Sequence, residues 1–163
     1  MVVLKNILVA TDFSEPSTVA MAYGRDLARS YGAALHVLHV VEDMKVQYGA
    51  EIGFASPDTQ NDFEKMAQRD LDAVITEDDR KTLKLVPVVT SHVNVAHGVA
   101  DYAAANAIDL IIVGNHGRGA IKKFLTGSVA ERVVRTAPCP VLAVRERQRE
   151  FITPDALLAT TVA

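Results

Sequence analysis

Five short apolar runs, separated by segments of helical periodicity, limit the folds open to this chain more than any other feature of its sequence. Each run is nearly continuous in Val, Ile and Leu and does not alternate apolar with polar residues. Such runs are typical of parallel strands in a sheet covered on both faces, because side chains on both faces must then be apolar. The predicted strands are residues 3–10, 34–41, 83–89, 108–113 and 140–144.

Four helices are predicted between the strands, because apolar residues there recur three and four positions apart and so share one helix face. The first helix follows residues 14–17, Ser-Glu-Pro-Ser, which suit a cap and a first turn, and the third has Asn94 as its expected cap. Helices alternating with strands predict an α/β fold. We expect a Rossmann-like open parallel sheet of five strands in the order 3-2-1-4-5, with helices on both faces, since crossovers are right-handed.

Length and composition indicate the domain organisation and the compartment. Residues 1–145 are predicted to form one domain, and residues 146–163 a tail that is either disordered or a docking arm. The net charge of −3 argues against a nucleic-acid binder that acts through bulk positive charge, and no apolar run is long enough to cross a membrane. The single cysteine excludes an internal disulfide, and the N-terminus lacks a signal-peptide pattern, so we expect a cytoplasmic protein.

The glycine-rich stretch GNHGRGAIKKFLTGS, residues 114–128, separates the fourth strand from the fourth helix. This order is typical of a phosphate-binding loop, because a helix N-terminus carries about half a positive charge and free N–H groups. The stretch is not the Walker pattern, since no Gly-Lys-Ser/Thr closes it, and its glycines are too widely spaced for the dinucleotide fingerprint. The residues alone therefore indicate an anion site without naming its ligand.

Asp12 follows the first strand and is the second candidate feature of the site. In the expected strand order, the first and fourth strands are neighbours where the order reverses, and ligands bind beyond the carboxyl ends of strands at that point. Asp12 suits either ribose hydroxyls or a magnesium ion, and the backbone near Val40 can face a flat base. Gly114 is expected to turn the chain at once towards a sugar, and Gly117 permits positive φ beside an anion.

These residues resemble the universal stress protein family. Gly114-x2-Gly117-x9-Gly127-Ser128 is similar to the nucleotide-binding signature of that family. The resemblance extends to residues 11–14, 127–133 and 137–142 and covers about residues 5–145. Because every glycine of the signature and its serine are present, the chain resembles the ATP-binding branch of the family and not the branch that lacks them.

The resemblance implies an ATP site, with Mg²⁺ as an ion that could accompany ATP, and a homodimer that pairs its last strands. Asn115 departs from the Ser or Thr common at its position but is also small and polar. The residues implied to contact ribose are Asp12 and Gly114, those implied to line the adenine and ribose pocket are Ala10, Thr11, Val40 and Val113, and those implied to surround the triphosphate are Gly117, Arg118, Gly127, Ser128 and Val129.

Other interpretations of single residues remain open. Ser128 to Glu131 also fit a capping box, in which the Ser128 hydroxyl satisfies N–H groups of its own helix. His36 and His39 lie three apart on a strand and are expected to face opposite sides, so the histidines do not predict a metal site. The charged run at residues 77–81 is expected to end a helix in solvent.

Three classes of function follow. The first is an ATP-binding regulatory protein of the stress response whose unidentified protein partner depends on the bound nucleotide. The second is a slow ATPase or a self-phosphorylating protein with Ser128 or Thr126 as acceptor, and the third is a dimeric interaction module in which the glycine loop is structural. The first is preferred, because the chain offers neither a Walker lysine nor a clear base for water, and hydrolysis should be slow at most.

Overall fold

The computed structural model describes residues 2–43, 57–115 and 129–145. Within these ranges the strands are β1 Asn6–Ala10, β2 Ala34–Glu42, β3 Lys84–His92, β4 Leu110–Asn115 and β5 Val141–Arg145. They form one sheet in the order β3-β2-β1-β4-β5, and every neighbouring pair is parallel. The predicted α/β fold and strand order are confirmed, with strand ends displaced by at most three residues.

Helices cover both faces of the sheet, as predicted. The described helices are α1 Glu15–Tyr31, α2 Pro57–Val74, α3 Glu77–Thr82, α4 Val95–Ala105 and α5 Val129–Thr136. Apolar side chains of α1 and α2 form one core cluster with one face of the strands, and side chains of α4 and α5 form a second cluster with the other face. No helix in the described ranges is both long enough and apolar enough to span a bilayer.

The charged run at residues 77–81 corrects one prediction, because it forms the separate helix α3 and does not end a helix in solvent. The N–H of Asp79 donates to the Thr76 hydroxyl, and the N–H of Thr76 donates to the Asp79 carboxylate, which is a capping box. Asp79 is only 1% exposed and accepts three hydrogen bonds from Arg25 of α1. The partner lies 54 positions away, so no local pattern indicates this burial.

Candidate functional site

The candidate site lies at the carboxyl ends of β1 and β4, the central pair where the strand order reverses. Ala10 ends β1 and is in register with Leu38 of β2 on one side and Val113 of β4 on the other. The chain leaves the sheet after Ala10 through Thr11 and Asp12 and enters α1 at Glu15. The described candidates Ala10, Thr11, Asp12, Val40, Val113 and Gly114 therefore come together at one edge of the sheet.

Among the described residues, Ser14 and Ser17 donate to the same oxygen of the Asp12 carboxylate. The hydroxyls of Ser14 and Ser17 both donate to Oδ1, and the N–H of Ser14 donates to the same atom over 3.1 Å. Across the part of the chain that the structure describes, every hydrogen bond to this carboxylate ends on Oδ1. Within the described residues, Oδ2 therefore has acceptor capacity left for a ligand.

The same contacts determine the charge of Asp12. Burial raises the pKa of the Asp12 carboxyl, but the hydrogen bonds from Ser14 and Ser17 outweigh burial and hold this pKa below its ordinary value. Asp12 is therefore an anion at neutral pH. Because an ionised carboxylate only accepts hydrogen bonds, the position suits hydroxyl donors or a cation.

The backbone on both sides of Asp12 is held in place. The Thr11 N–H donates to the Leu38 carbonyl over 2.9 Å, and the Thr11 carbonyl accepts from Nδ1 of His39 over 2.8 Å. Phe13 has a φ of 64°, which is uncommon for a bulky residue. Its N–H donates to the Thr11 hydroxyl over 3.0 Å, and its ring stacks on His39 at 4.5 Å between centroids. These contacts keep the strained turn in one conformation, and with it the direction of Asp12.

Four residues whose side chains form this arrangement, Phe13, Ser14, Ser17 and His39, are absent from the sequence-based set of site residues. Ser14 and Ser17 follow Asp12 at two and five positions, close enough for both hydroxyls to turn back onto its carboxylate, and this spacing is a usable sequence signal. In the sequence, His39 stands out only as one of several histidines that could suggest a metal site. Its contact with Thr11 depends on the register between β1 and β2, which the sequence does not display.

Ala10, Val40 and Val113 project from the sheet face that α4 and α5 cover, and both valines are buried in that core cluster. The Leu38 carbonyl points towards β1, since it accepts from Thr11. Backbone groups alternate in direction along a parallel strand, so the N–H and C=O of Val40 point to the same side, beyond the last residue of β1. From there they could meet a flat base, and the role of Val40 stays a prediction.

Gly114 lies inside β4, in register with Val144 of β5, and the expected immediate turn at this residue does not occur. A Cβ on Gly114 would lie 2.5 Å from the carbonyl carbon of Pro16 and 2.7 Å from the backbone nitrogen of Ser17. Real Cβ atoms do not approach backbone this closely, so the first turn of α1 packs on β4 only because residue 114 is glycine. Contact between Gly114 and a ligand stays a prediction.

The triphosphate residues Gly117, Arg118, Gly127 and Ser128, and with them the alternative capping box of Ser128, lie outside the described residues. Val129 is the first residue of α5 and is exposed.

The predicted orientation of two histidines is confirmed. His36 bonds Tyr102 of α4 through Nδ1 over 2.9 Å, whereas His39 contacts the turn that precedes α1, on the opposite sheet face. In residues 2–43, 57–115 and 129–145, no group of three or more His, Cys, Asp and Glu side chains could hold a metal ion.

Comparison with known proteins gives a consistent result. The model of the universal stress protein family matches residues 4–145. The chain is similar to universal stress protein A homolog 1 of Coxiella burnetii, with 37% identity over 143 residues, which cover 86% of this chain and 95% of that protein.

Two solved structures share the fold. MJ0577 of Methanocaldococcus jannaschii superposes with a TM-score of 0.74 and 25% identity over 91% of this chain and 100% of that chain. A universal stress protein of Archaeoglobus fulgidus in complex with dAMP has a TM-score of 0.60 and covers 88% of this chain and 98% of that chain. Its identity of 16% makes this second likeness one of fold alone.

Proposed function

Because this chain belongs to the universal stress protein family, we propose that it is a regulatory protein of the stress response that binds ATP at the carboxyl ends of β1 and β4. The observation that carries the proposal is the carboxylate of Asp12. Its Oδ1 is occupied by Ser14 and Ser17, and its Oδ2 has no bond from the described residues. An ionised acceptor at this edge suits the hydroxyls of a ribose. The dAMP complex of the Archaeoglobus fulgidus protein supports an adenine nucleotide as the class of ligand.

The proposed ligand extends along the strand edge. The base would meet the backbone of Val40, the ribose would meet Asp12, and the phosphates would run towards the N-terminus of α5 at Val129, where a helix favours anions. Mg²⁺, if it accompanies ATP, would be held chiefly by phosphate oxygens, since the described residues offer no cluster of metal-binding side chains. Gly114 would contact the ribose together with Asp12. The remaining proposed phosphate contacts are Gly117, Arg118, Gly127 and Ser128.

Calorimetric titration with ATP, ADP and GTP tests the proposal, together with analysis of any nucleotide that copurifies. Replacing Asp12 with Asn removes the charge of the acceptor and should weaken ATP binding about tenfold, because a hydrogen bond to a charged group contributes about 1.5–3 kcal/mol. Asp62→Asn is the matched control, since the Asp62 side chain is 77% exposed on α2. Equal ATP affinity of the wild type and Asp12→Asn, or no nucleotide binding at all, would contradict the proposal.

The same preparation separates the alternative functions. ATP hydrolysis at about 1 per second, a rate typical of active phosphotransferases, would indicate an enzyme. Transfer of labelled phosphate to Ser128 or Thr126 would indicate self-phosphorylation, and a dimer that binds no nucleotide would indicate an interaction module. The single cysteine favours the cytoplasm as the compartment.

We propose a homodimer that pairs β5 with its copy, because the two edges of the sheet differ. The N–H of Ile111 donates to the Pro140 carbonyl, so by alternation the backbone groups of Val141, Ala143 and Arg145 point outwards. None of these three residues is a proline, so each has an N–H that can donate to a neighbouring strand. Such an edge is open to pairing with another strand, and an antiparallel pair of identical edges closes at two subunits.

The opposite edge, β3, is protected. The N–H of Asp43 donates to the carbonyl of His92, so Pro87, five positions earlier, directs its backbone outwards. Proline has no N–H, and a strand pairing with this edge would lose a hydrogen bond near its centre. The unequal edges therefore support dimerisation through β5.

A further inference from the structure

Ser17 joins the first turn of α1 to Asp12. Its side chain belongs to a residue only 4% exposed, and its hydroxyl donates to Oδ1 of Asp12. The same hydroxyl accepts the backbone N–H of Asp12 over 3.2 Å. One side chain thus restrains both the backbone and the carboxylate of Asp12, and it holds Oδ1 against the first turn of the helix.

Ser14 adds to this restraint in place of capping its helix. Ser14 occupies the N-cap position of α1, but its side chain makes no cap hydrogen bond. Its hydroxyl is directed to Oδ1 of Asp12 and lies 3.2 Å from the hydroxyl of Ser17. The hydrogen bond that the Ser14 hydroxyl donates to the charged carboxylate is stronger than the cap bond that it would accept from a neutral backbone N–H. This difference explains why Ser14 does not cap its helix. Both serines therefore hold Oδ1 of Asp12 at the start of α1, and neither bonds Oδ2.

Gly114 determines where Ser17 lies. The backbone of Pro16 and Ser17 packs so closely on β4 that a Cβ on Gly114 would come within 2.7 Å of the Pro16 carbonyl oxygen and the Ser17 nitrogen. These are backbone atoms of a helix, and they cannot move aside as the end of a flexible side chain can. A larger residue at position 114 would displace the first turn of α1, and the Ser17 hydroxyl with it.

We propose that Ser17 is a positioning residue for the nucleotide site, which orients Asp12 towards the ribose, and that Gly114 acts on the site through Ser17. This inference rests on the proposed binding of ATP by Asp12. It assigns the first glycine of the Gly114-x2-Gly117 motif a role in packing α1, separate from any contact of that glycine with the ligand.

The test compares ATP with 2′,3′-dideoxy-ATP, which lacks both ribose hydroxyls, in calorimetric titrations of the Ser17→Ala variant. A positioning role predicts that the variant binds ATP about tenfold more weakly and dideoxy-ATP less than about twofold more weakly, since only ATP uses Asp12. Thr18→Ala, an exposed change on the same helix turn, should alter neither affinity. Unchanged ATP affinity in Ser17→Ala, or an equal loss for both ligands, would overturn the proposal.

A second measurement needs no nucleotide. Carbon-13 NMR titration of the Asp12 carboxyl should give a higher pKa in Ser17→Ala than in the wild type, because a hydrogen bond to the charged form is lost. If the wild type binds neither nucleotide, the proposed function fails, while this titration still decides the positioning role. An Asp12 pKa that stays unchanged in Ser17→Ala would overturn it.

Gly114→Ala separates packing from ligand contact, provided that its circular dichroism shows a folded chain. The variant should raise the Asp12 pKa in the same direction as Ser17→Ala. A folded Gly114→Ala variant with an unchanged Asp12 pKa would overturn the part of the proposal that concerns Gly114.

Discussion

At the scale of single residues, the ion pair of Arg25 and Asp79 joins α1 to the start of α3. Arg25 also donates to the Val74 carbonyl at the end of α2 over 2.9 Å, so one guanidinium connects three helices. Asp79 is an ordinary acidic residue in the sequence, yet it is among the most buried polar groups of the described chain. The buried charge of Asp79 is therefore stabilised by Arg25 and by the capping hydrogen bonds with Thr76.

Arg25→Ala should destabilise the protein by about 3 kcal/mol, because removing one partner of a buried pair leaves an uncompensated charge. Removing one partner of a buried pair costs about 3–5 kcal/mol in general. The lower value is expected here, since Arg29 also lies 3.6 Å from Asp79. Chemical denaturation measures the change. Arg80→Ala is the control, because its pair with Asp72 is exposed and should contribute at most about 1 kcal/mol. Equal effects of the two substitutions would contradict the structural account.

Acid should weaken the same contact. Burial raises the pKa of Asp79, but hydrogen bonds from Arg25 and Thr76 outweigh it, so the folded pKa lies below the ordinary value. A depressed folded pKa contributes stability above the unfolded pKa, and this contribution is lost as pH falls through the folded pKa. The wild type should therefore lose more unfolding free energy than Asp79→Asn between about pH 7 and about pH 3. Parallel pH dependence of the two proteins would contradict this assignment.

At the scale of elements, α1 packs on the sheet through glycines at two levels. Because residue 114 of β4 is glycine, the first turn of α1 can pack directly against that strand. Gly24, within α1, lies against β1 and β2. A Cβ on Gly24 would overlap Cγ2 of Val9 and lie 3.2 Å from Cδ1 of Leu35. The close approach of α1 brings Ser17 to Asp12, so the packing of this helix and the geometry of the site are connected.

Gly24→Ala should destabilise the fold, although alanine favours helix by about 1 kcal/mol over glycine. Overpacking against the buried Val9 costs about 1–3 kcal/mol and exceeds that gain. The double variant Gly24→Ala/Val9→Ala should lose less stability than the sum of the two single variants, because it removes the colliding methyl group. Thermal and urea unfolding provide the comparison, with the exposed Ser30→Ala as a neutral control. Strict additivity would show that Gly24 does not contact Val9.

At the scale of the whole molecule, the open edge at β5 predicts how two copies assemble. Ala143 is exposed and directs its N–H outwards, so Ala143→Pro removes a donor from the edge without removing a bond to β4. The wild type should scatter light as a dimer and Ala143→Pro as a monomer with native circular dichroism. Ala143→Val keeps the N–H and should stay dimeric.

The alternative to dimerisation is that the segment after β5 covers the β5 edge of its own chain. Residues 146–163 adjoin the same edge in sequence, and a chain ending at Arg145 tests their part. If the full chain is monomeric and only the shortened chain dimerises, this segment covers the edge and the dimer proposal is wrong.

The amino-acid sequence was sufficient to predict the α/β class, the strand order and the family. Those properties depend on local signals: continuous apolar runs identify covered parallel strands, and right-handed crossovers restrict their order. The same rules bring Asp12 and Gly114 to one edge of the sheet, since parallel strands present their carboxyl ends together. The N-cap at Asn94 followed from its neighbours alone, and its side chain does accept the N–H of His97.

The groups that surround those residues could not be predicted in this way, because they depend on tertiary packing. The burial of Asp79 requires Arg25 from another helix, the fixed turn at Asp12 requires His39 from β2, and the need for glycine at position 114 arises from α1. Each contact joins segments that lie far apart in the chain. Their energies depend on distances of a few tenths of an ångström between packed elements, and periodicity and spacing contain no information at that resolution.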